Sequence, residues 1–323
     1  MDDTKENAVK IGMKIDETRI DGSLSRMRED LETFLRLGLS AAEIPVHGVD
    51  AIRNGRLDLR RTRDVTEILG QFPFAYSVHA PNTLNLMDRD DFSLHREVLR
   101  ASLQFCREIG AAVLVYHPGR FTAEEEMLAL GRRALASDEA ELLLAREAAA
   151  LAQVADEFPD ITIAMENARP YRHHSPYCYA ESLDTLKKQV LIIDRANVAV
   201  NLDLGHLAMS ASFYGFDPIV EVRSVAGLIR HTHVHDNFGG SVFCTEKIQT
   251  HQIPFGRGDS HMPVGWGSIP FAGILGAFAV DYEGLYIMEL RSRYFDHIKE
   301  SADSLARIVK KVLPVSEHEG AMS

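Results

Sequence analysis

The chain has 323 residues, is 46% hydrophobic and 25% charged, and carries a formal net charge of −12. These values suit a soluble globular protein, exclude disordered and collagen-like classes, and speak against nucleic acid, whose binders carry a basic footprint. No apolar run approaches the roughly 18 residues of a membrane helix, the start MDDTKENAVK lacks a signal-peptide core, and three scattered cysteines form no disulfide framework, so a cytoplasmic location without membrane contact is expected.

In chain order, β-branched runs at 9–15, 41–46, 74–79, 113–117, 161–167, 198–204, 228–235 and 284–290 read as strands. Helical patterns lie between them, notably at 23–38, 92–110, 180–190 and, after the last strand, 297–313. Residues 124–158 read as two consecutive helices joined around Ala136–Asp138, which adds a helix to the fourth connection. Strand-then-helix units without a Pro/Gly/Ser linker predict a single-domain α/β fold, a (β/α)8 TIM barrel. Its core spans about 9–313 and the tail 314–323 is loose. The alternative is an open doubly wound sheet, but the first strand is not followed by a glycine-rich dinucleotide fingerprint. The segment 53–63 holds five arginines against one aspartate and reads as a solvated face or a phosphate anchor.

The ends of the predicted strands carry the chemistry. Strand three ends at His79, strand four at His117, strand five at Glu166, and strand six at Asp203 with His206 just beyond. Strand seven carries His233 and strand eight ends with Glu289. In a barrel these ends converge on one face, where side chains distant in sequence meet. A single such residue is a rim histidine or a helix N-cap. Six in register are costly to bury together without a cation, so a metal centre follows. Imidazole and carboxylate without thiolate suit Zn, Mn or Co. Asp259 and His261, in the glycine-rich GRGDSHMPVGWG at 256–267, can join from a loop over the mouth.

The motifs HAPNTLNL, YHPGR, AMENARP, NLDLGHLAMS, HVHDN, GDSHMPVGWGSIPF and MELR resemble the xylose isomerase-like TIM barrel superfamily over roughly residues 10–312. The superfamily joins sugar phosphate isomerases and epimerases to the endonuclease IV group. The resemblance implies one divalent ion on Glu166, Asp203, His233 and Glu289, with Glu166 and Glu289 also exchanging protons with the substrate. In the nuclease branch those four are joined by His79, His117, His206, Asp259 and His261 to hold three zinc ions, so up to three ions are open here. Asn82 and Thr83 stand where that branch has its Tyr and Leu wedge, and DSHMPVGWGSIPF looks like the small-molecule branch.

The function expected is therefore a metal-dependent sugar, keto-sugar or sugar phosphate isomerase or epimerase. An apurinic-site phosphodiesterase or a keto-inositol-type dehydratase is the alternative. Candidate substrate contacts are His79, His117, His206, His235, Arg291, Trp266 and Glu43, with Arg120, Arg169, Arg293 and His47 as further rim residues. Within HTHVHDN, His231 is expected to be a core imidazole, His233 a ligand, His235 substrate-facing and Asp236 the partner behind His233. A homo-oligomer stays open.

Overall fold

A computed structural model describes residues 9–123, 126–127, 136–246 and 248–313. Eight strands close into a barrel: β1 Lys10–Lys14, β2 Ala41–Pro45, β3 Ala75–His79, β4 Val113–Tyr116, β5 Thr162–Glu166, β6 Val198–Asp203, β7 Ile229–Val234 and β8 Leu285–Met288. Every neighbouring pair is parallel, and β1 pairs with both β2 and β8, which seals the ring. Most strand residues are buried on both faces, as parallel strands under a helical layer require.

Around the barrel lie the expected helices Leu24–Arg36, Phe92–Ile109, Leu183–Ile193 and Ile298–Val312. The helix Ser137–Glu157 is the second of the two expected in the fourth connection. The first falls largely outside the described residues, as does the tail at 314–323. The helix Leu204–Tyr214 was not legible because Leu204, Leu207, Met209 and Ala211 bury several sides of it and blur its period. The arginine-rich segment forms a short hairpin, Ile52–Arg53 with Arg56–Leu57, and then the helix Leu59–Leu69. Asp58 caps that helix by accepting from Arg60 N and Arg61 N, while Arg61 Nε donates to Val49 O at 2.8 Å. Among the described residues no helix is long and apolar enough to cross a membrane.

Inside the barrel, polarity changes with height. The lower end is plugged by Ala41, Leu285 and Ile287 with Ala75. Gly12 belongs to this tight layer, since a Cβ there would sit 2.5 Å from Ala41 O. One pleat further up, the inward positions become Lys14, Glu43, Ser77, Asn201 and His231, and ionisable side chains gather at the mouth above them.

Candidate metal centre

The site rests on Glu43. Its Oε2 accepts from His231 Nε2 at 2.9 Å and Ser77 Oγ at 2.8 Å, and its Oε1 from His233 Nε2 at 2.9 Å. Glu43, His231 and His233 are each 0% exposed. Burial alone would push the carboxyl of Glu43 up, but His233 and His231 hold it well below the usual carboxylate range. Because Nε2 of His233 is committed to Glu43, its other nitrogen points up into the mouth. Nδ1 lies 3.1 Å from Glu166 Oε2, 3.6 Å from Glu289 Oε2 and 4.0 Å from Asp203 Oδ2. Asn201 Nδ2 reaches both Glu166 Oε2, at 2.9 Å, and His233 Nδ1, at 3.2 Å.

Asp203 divides its two oxygens. Oδ1 caps the helix Leu204–Tyr214 by accepting from His206 N at 2.6 Å, which leaves Oδ2 to His235 Nε2 at 3.2 Å. Gly205 permits this, because a Cβ there would lie 2.0 Å from the His235 ring. Asn167 clamps the strand end, donating to Asp203 O at 2.9 Å and accepting from Asp203 N at 2.8 Å.

Backbone carbonyls set three further imidazoles. Nδ1 of His79 donates to Ala80 O at 2.7 Å, that of His206 to Asn167 O at 2.9 Å, and that of His261 to Glu289 O at 2.8 Å. In each, Nε2 is thereby the nitrogen left free of the backbone. For His206 and His261 that atom faces Asp259 Oδ2, at 3.4 and 2.9 Å. His261 holds a left-handed backbone, φ 45°, secured by Arg291 N on its carbonyl at 3.3 Å. His79 packs edge-on to His117 at 4.9 Å, and His117 Nε2 is 3.6 Å from Glu166 Oε2.

These donors fit a cation. Ligand atoms of Glu166, Asp203 and His233 lie within 4.8 Å of one another, as do those of Asp203, His206 and His235, and of His79, His117 and Glu166. Ligands bonded at about 2.0–2.2 Å to one ion lie within roughly 4.4 Å of each other, so small adjustments suffice. Against five carboxylates (Glu43, Glu166, Asp203, Asp259 and Glu289) the mouth sets Lys14, 3.0 Å from Glu289 Oε1, and Arg169, 3.4 Å from Asp259 Oδ2. Burial disfavours charge on His233 and His206, yet the surrounding carboxylates raise both well above the ordinary imidazole value. Protons thus stand where a divalent ion would displace them. Desolvation, with Lys14 and His117, pushes His79 down to about 3, which keeps it neutral and ligand-ready. Asp259 Oδ1 is buried without a hydrogen-bond partner.

The structure therefore gathers all nine sequence-derived ligand candidates at one mouth. Glu43 and His235, expected as substrate contacts, are instead wholly buried within the network. Asp236 does not back His233. Its spacing of three puts it on the opposite face, where it accepts from Gly265 N and Gly267 N, both at 2.9 Å, and pins the glycine-rich loop. Trp266 is not brought to the cluster. Its indole donates to Glu300 at 2.9 Å and packs on Tyr294 and His297. Arg291 stays at the exposed rim, lining a small pocket with Lys14, Glu17, His261 and Glu289. Arg293 lies over Tyr294, and His47 Nε2 is 3.9 Å from Glu17. Lys14, Asn201 and Asn167 were missed. The available signal was position, since Lys14 ends β1 in register with Glu43.

A family model described as xylose isomerase-like TIM barrel matches residues 31–311. No curated protein sequence matches the chain. Among solved structures, a D-tagatose 3-epimerase-like protein is similar at TM-score 0.69 and 21% identity, covering 94% of this chain and 99% of its own. A 3-keto-D-glucoside 4-epimerase from E. coli has TM-score 0.66 and 15% identity, with 94% and 99% covered. An L-ribulose 3-epimerase has TM-score 0.65 and 16% identity, with 94% and 95% covered. At these identities the likeness is one of fold.

Proposed function

For this chain, which belongs to the xylose isomerase-like TIM barrel family, we propose metal-dependent isomerisation or epimerisation of a sugar or sugar derivative by proton transfer beside a carbonyl. One observation carries the reading: Glu166 and Glu289 stand 3.1 and 3.6 Å from the same nitrogen of His233. Two carboxylates are thus poised around one point at a barrel mouth, the arrangement that removing a proton and returning it requires. The epimerases among the structural neighbours support it.

Glu166, Asp203, His233 and Glu289 would hold one ion, Mn, Co or Zn. When bound, such an ion supplies Lewis-acid stabilisation of the charge that develops on the substrate's oxygens. The chain's own residues do the rest. Glu43 orients His233 from below. Asn201 holds Oε2 of Glu166, and Lys14 holds Oε1 of Glu289, so each carboxylate keeps one oxygen positioned while the other is directed elsewhere in the mouth. Glu166 and Glu289 exchange the proton with the substrate carbon from the two sides. The three cysteines are free and buried, which suits a reducing cytoplasm.

Incubating the metal-loaded enzyme with a panel of ketoses in heavy water should place deuterium on the carbon beside the carbonyl. Glu166→Gln and Glu289→Gln should each slow that exchange at least ~100-fold. No exchange with any member of the panel, together with nicking of an abasic duplex, would refute the proposal in favour of a phosphodiesterase.

A further inference from the structure

Arg120 is a buried cation that no carboxylate among the described residues answers. It follows His117 in the YHPGR segment, and the residue is 8% exposed. Its backbone is fixed on both sides: Arg120 N donates to Asn85 Oδ1 at 2.9 Å, and its carbonyl accepts from Asn85 Nδ2 at 3.2 Å. Its guanidinium makes one weak contact, Nη2 to Leu84 O at 3.3 Å, while Nε has no partner. Among the described residues no carboxylate lies within ion-pair distance of it. Buried arginines are ordinarily paired, because desolvating a guanidinium is costly unless an anion answers it.

Arg120 lines a small pocket at the mouth that it shares with His117, Glu166, Arg169, Tyr177 and His206. The two other part-buried cations at the mouth are already engaged, and Arg291 stands exposed at the rim. Lys14 is held by Glu289 and by Glu17, at 3.0 and 3.3 Å, and Arg169 reaches Asp259 at 3.4 Å. We infer that Arg120 is the seat of an oxyanion on the substrate, a carboxylate or a phosphate, carried on the side of the molecule that meets Glu166. A guanidinium matches both groups through parallel N–H donors. The substrate class is then an acidic sugar rather than a neutral ketose. Its orientation rests on the function proposed above, whereas the anion seat does not.

Two measurements keep these separate. In chelator-treated protein, where no ion can hold the anion, titration calorimetry with inorganic phosphate and with glycolate should show binding. Arg120→Met should weaken it about 10- to 100-fold, the range of a charge-assisted hydrogen bond. Arg120→Lys, which keeps the charge, should retain most of it. The stronger of the two probes names the group. Should Arg120→Met fail to fold, protection of Arg120 by the same anions from a dicarbonyl reagent, read by peptide mass mapping, reports the contact in the unaltered chain. Equal binding by wild type and Arg120→Met, or no protection, overturns the inference. In the metal-loaded enzyme, a ketose, its terminal phosphate and its uronic acid should then differ. Arg120→Met should raise KM at least about tenfold more for the acidic substrates than for the neutral one. Equal effects on all three also overturn it. Absence of exchange with every substrate refutes the proposed reaction and leaves the calorimetry to decide on Arg120.

Discussion

Two glutamates, Glu43 inside the barrel wall and Glu147 outside it, are both 0% exposed and carry opposite tendencies. Glu147, on the helix Ser137–Glu157, accepts from Tyr116 OH at 2.8 Å, Gly119 N at 2.6 Å, Tyr179 OH at 2.6 Å and Gln189 Nε2 at 3.2 Å. Its partners are neutral, so burial prevails and its pKa is raised despite those bonds. Glu43 answers to two imidazoles and is held well below the ordinary range, although burial opposes this. Equal burial thus goes with a raised pKa in the shell and a lowered one under the mouth. What separates them is the charge that their partners can carry.

The comparison can be broken in several ways. The largest effect is expected from Glu43→Ala, which strands two buried imidazoles. Urea unfolding should show a loss of about 3–5 kcal/mol, and metal titration a drop in affinity of at least ~10-fold, since the partner that orients His233 is gone. Gly205→Ala should follow, at about 1–3 kcal/mol, because the new methyl displaces the His235 ring from Asp203. Ion-dependent elevation of Tm should weaken with it. Unchanged Tm with and without Mn, Co or Zn would show that His235 and Asp203 have no part in holding an ion. In the shell, Glu147→Leu should cost about 1–3 kcal/mol through unsatisfied hydroxyls and the Gly119 amide. Glu147→Gln, a neutral isostere, should cost less than about 1 kcal/mol.

The smallest effect concerns pH and has opposite signs in the two places. A raised acid contributes stability below the unfolded carboxylate value of about 4.3 and loses it as pH rises through the folded value. Wild type should therefore lose stability relative to Glu147→Gln as pH climbs above that point. A lowered acid contributes above the unfolded value and loses that contribution as pH falls through the folded one. Glu43→Gln should accordingly be matched best by wild type in acid. Urea midpoints across about pH 2–8 that run parallel to wild type for both variants would remove the distinction.

Much of this was legible beforehand, for identifiable reasons. Parallel strands buried on two faces leave continuous β-branched runs, and their ends converge by topology, so His79, His117, Glu166, Asp203, His233 and Glu289 could be placed together before any coordinates. What escaped was contact across the barrel interior. Glu43 and His233 are separated by 190 residues and lie on non-adjacent strands, so neither period nor local spacing relates them. Lys14 was not singled out, because nothing local in the run 9–15 marks it. Asp236 was assigned to His233 through proximity in sequence, where the pleat places it on the other side. Trp266 was placed over the pocket by its glycine-rich setting, yet the nearest acceptor for its indole is on the C-terminal helix.

The ion pair between Lys14 and Glu289 spans the seam where the first strand meets the last. Beside it Ser292 N donates to Asp16 Oδ2 across 276 residues. During synthesis the first strand emerges long before its second neighbour exists. One of the two proposed proton-transferring carboxylates belongs to the last strand made, and it is positioned only once the ring shuts. Closing the barrel and completing the site are therefore the same event. A ribosome-bound chain that lacks the last strand would carry most of the candidate ligands but not Glu289, and its Lys14 would keep only Glu17 as a partner.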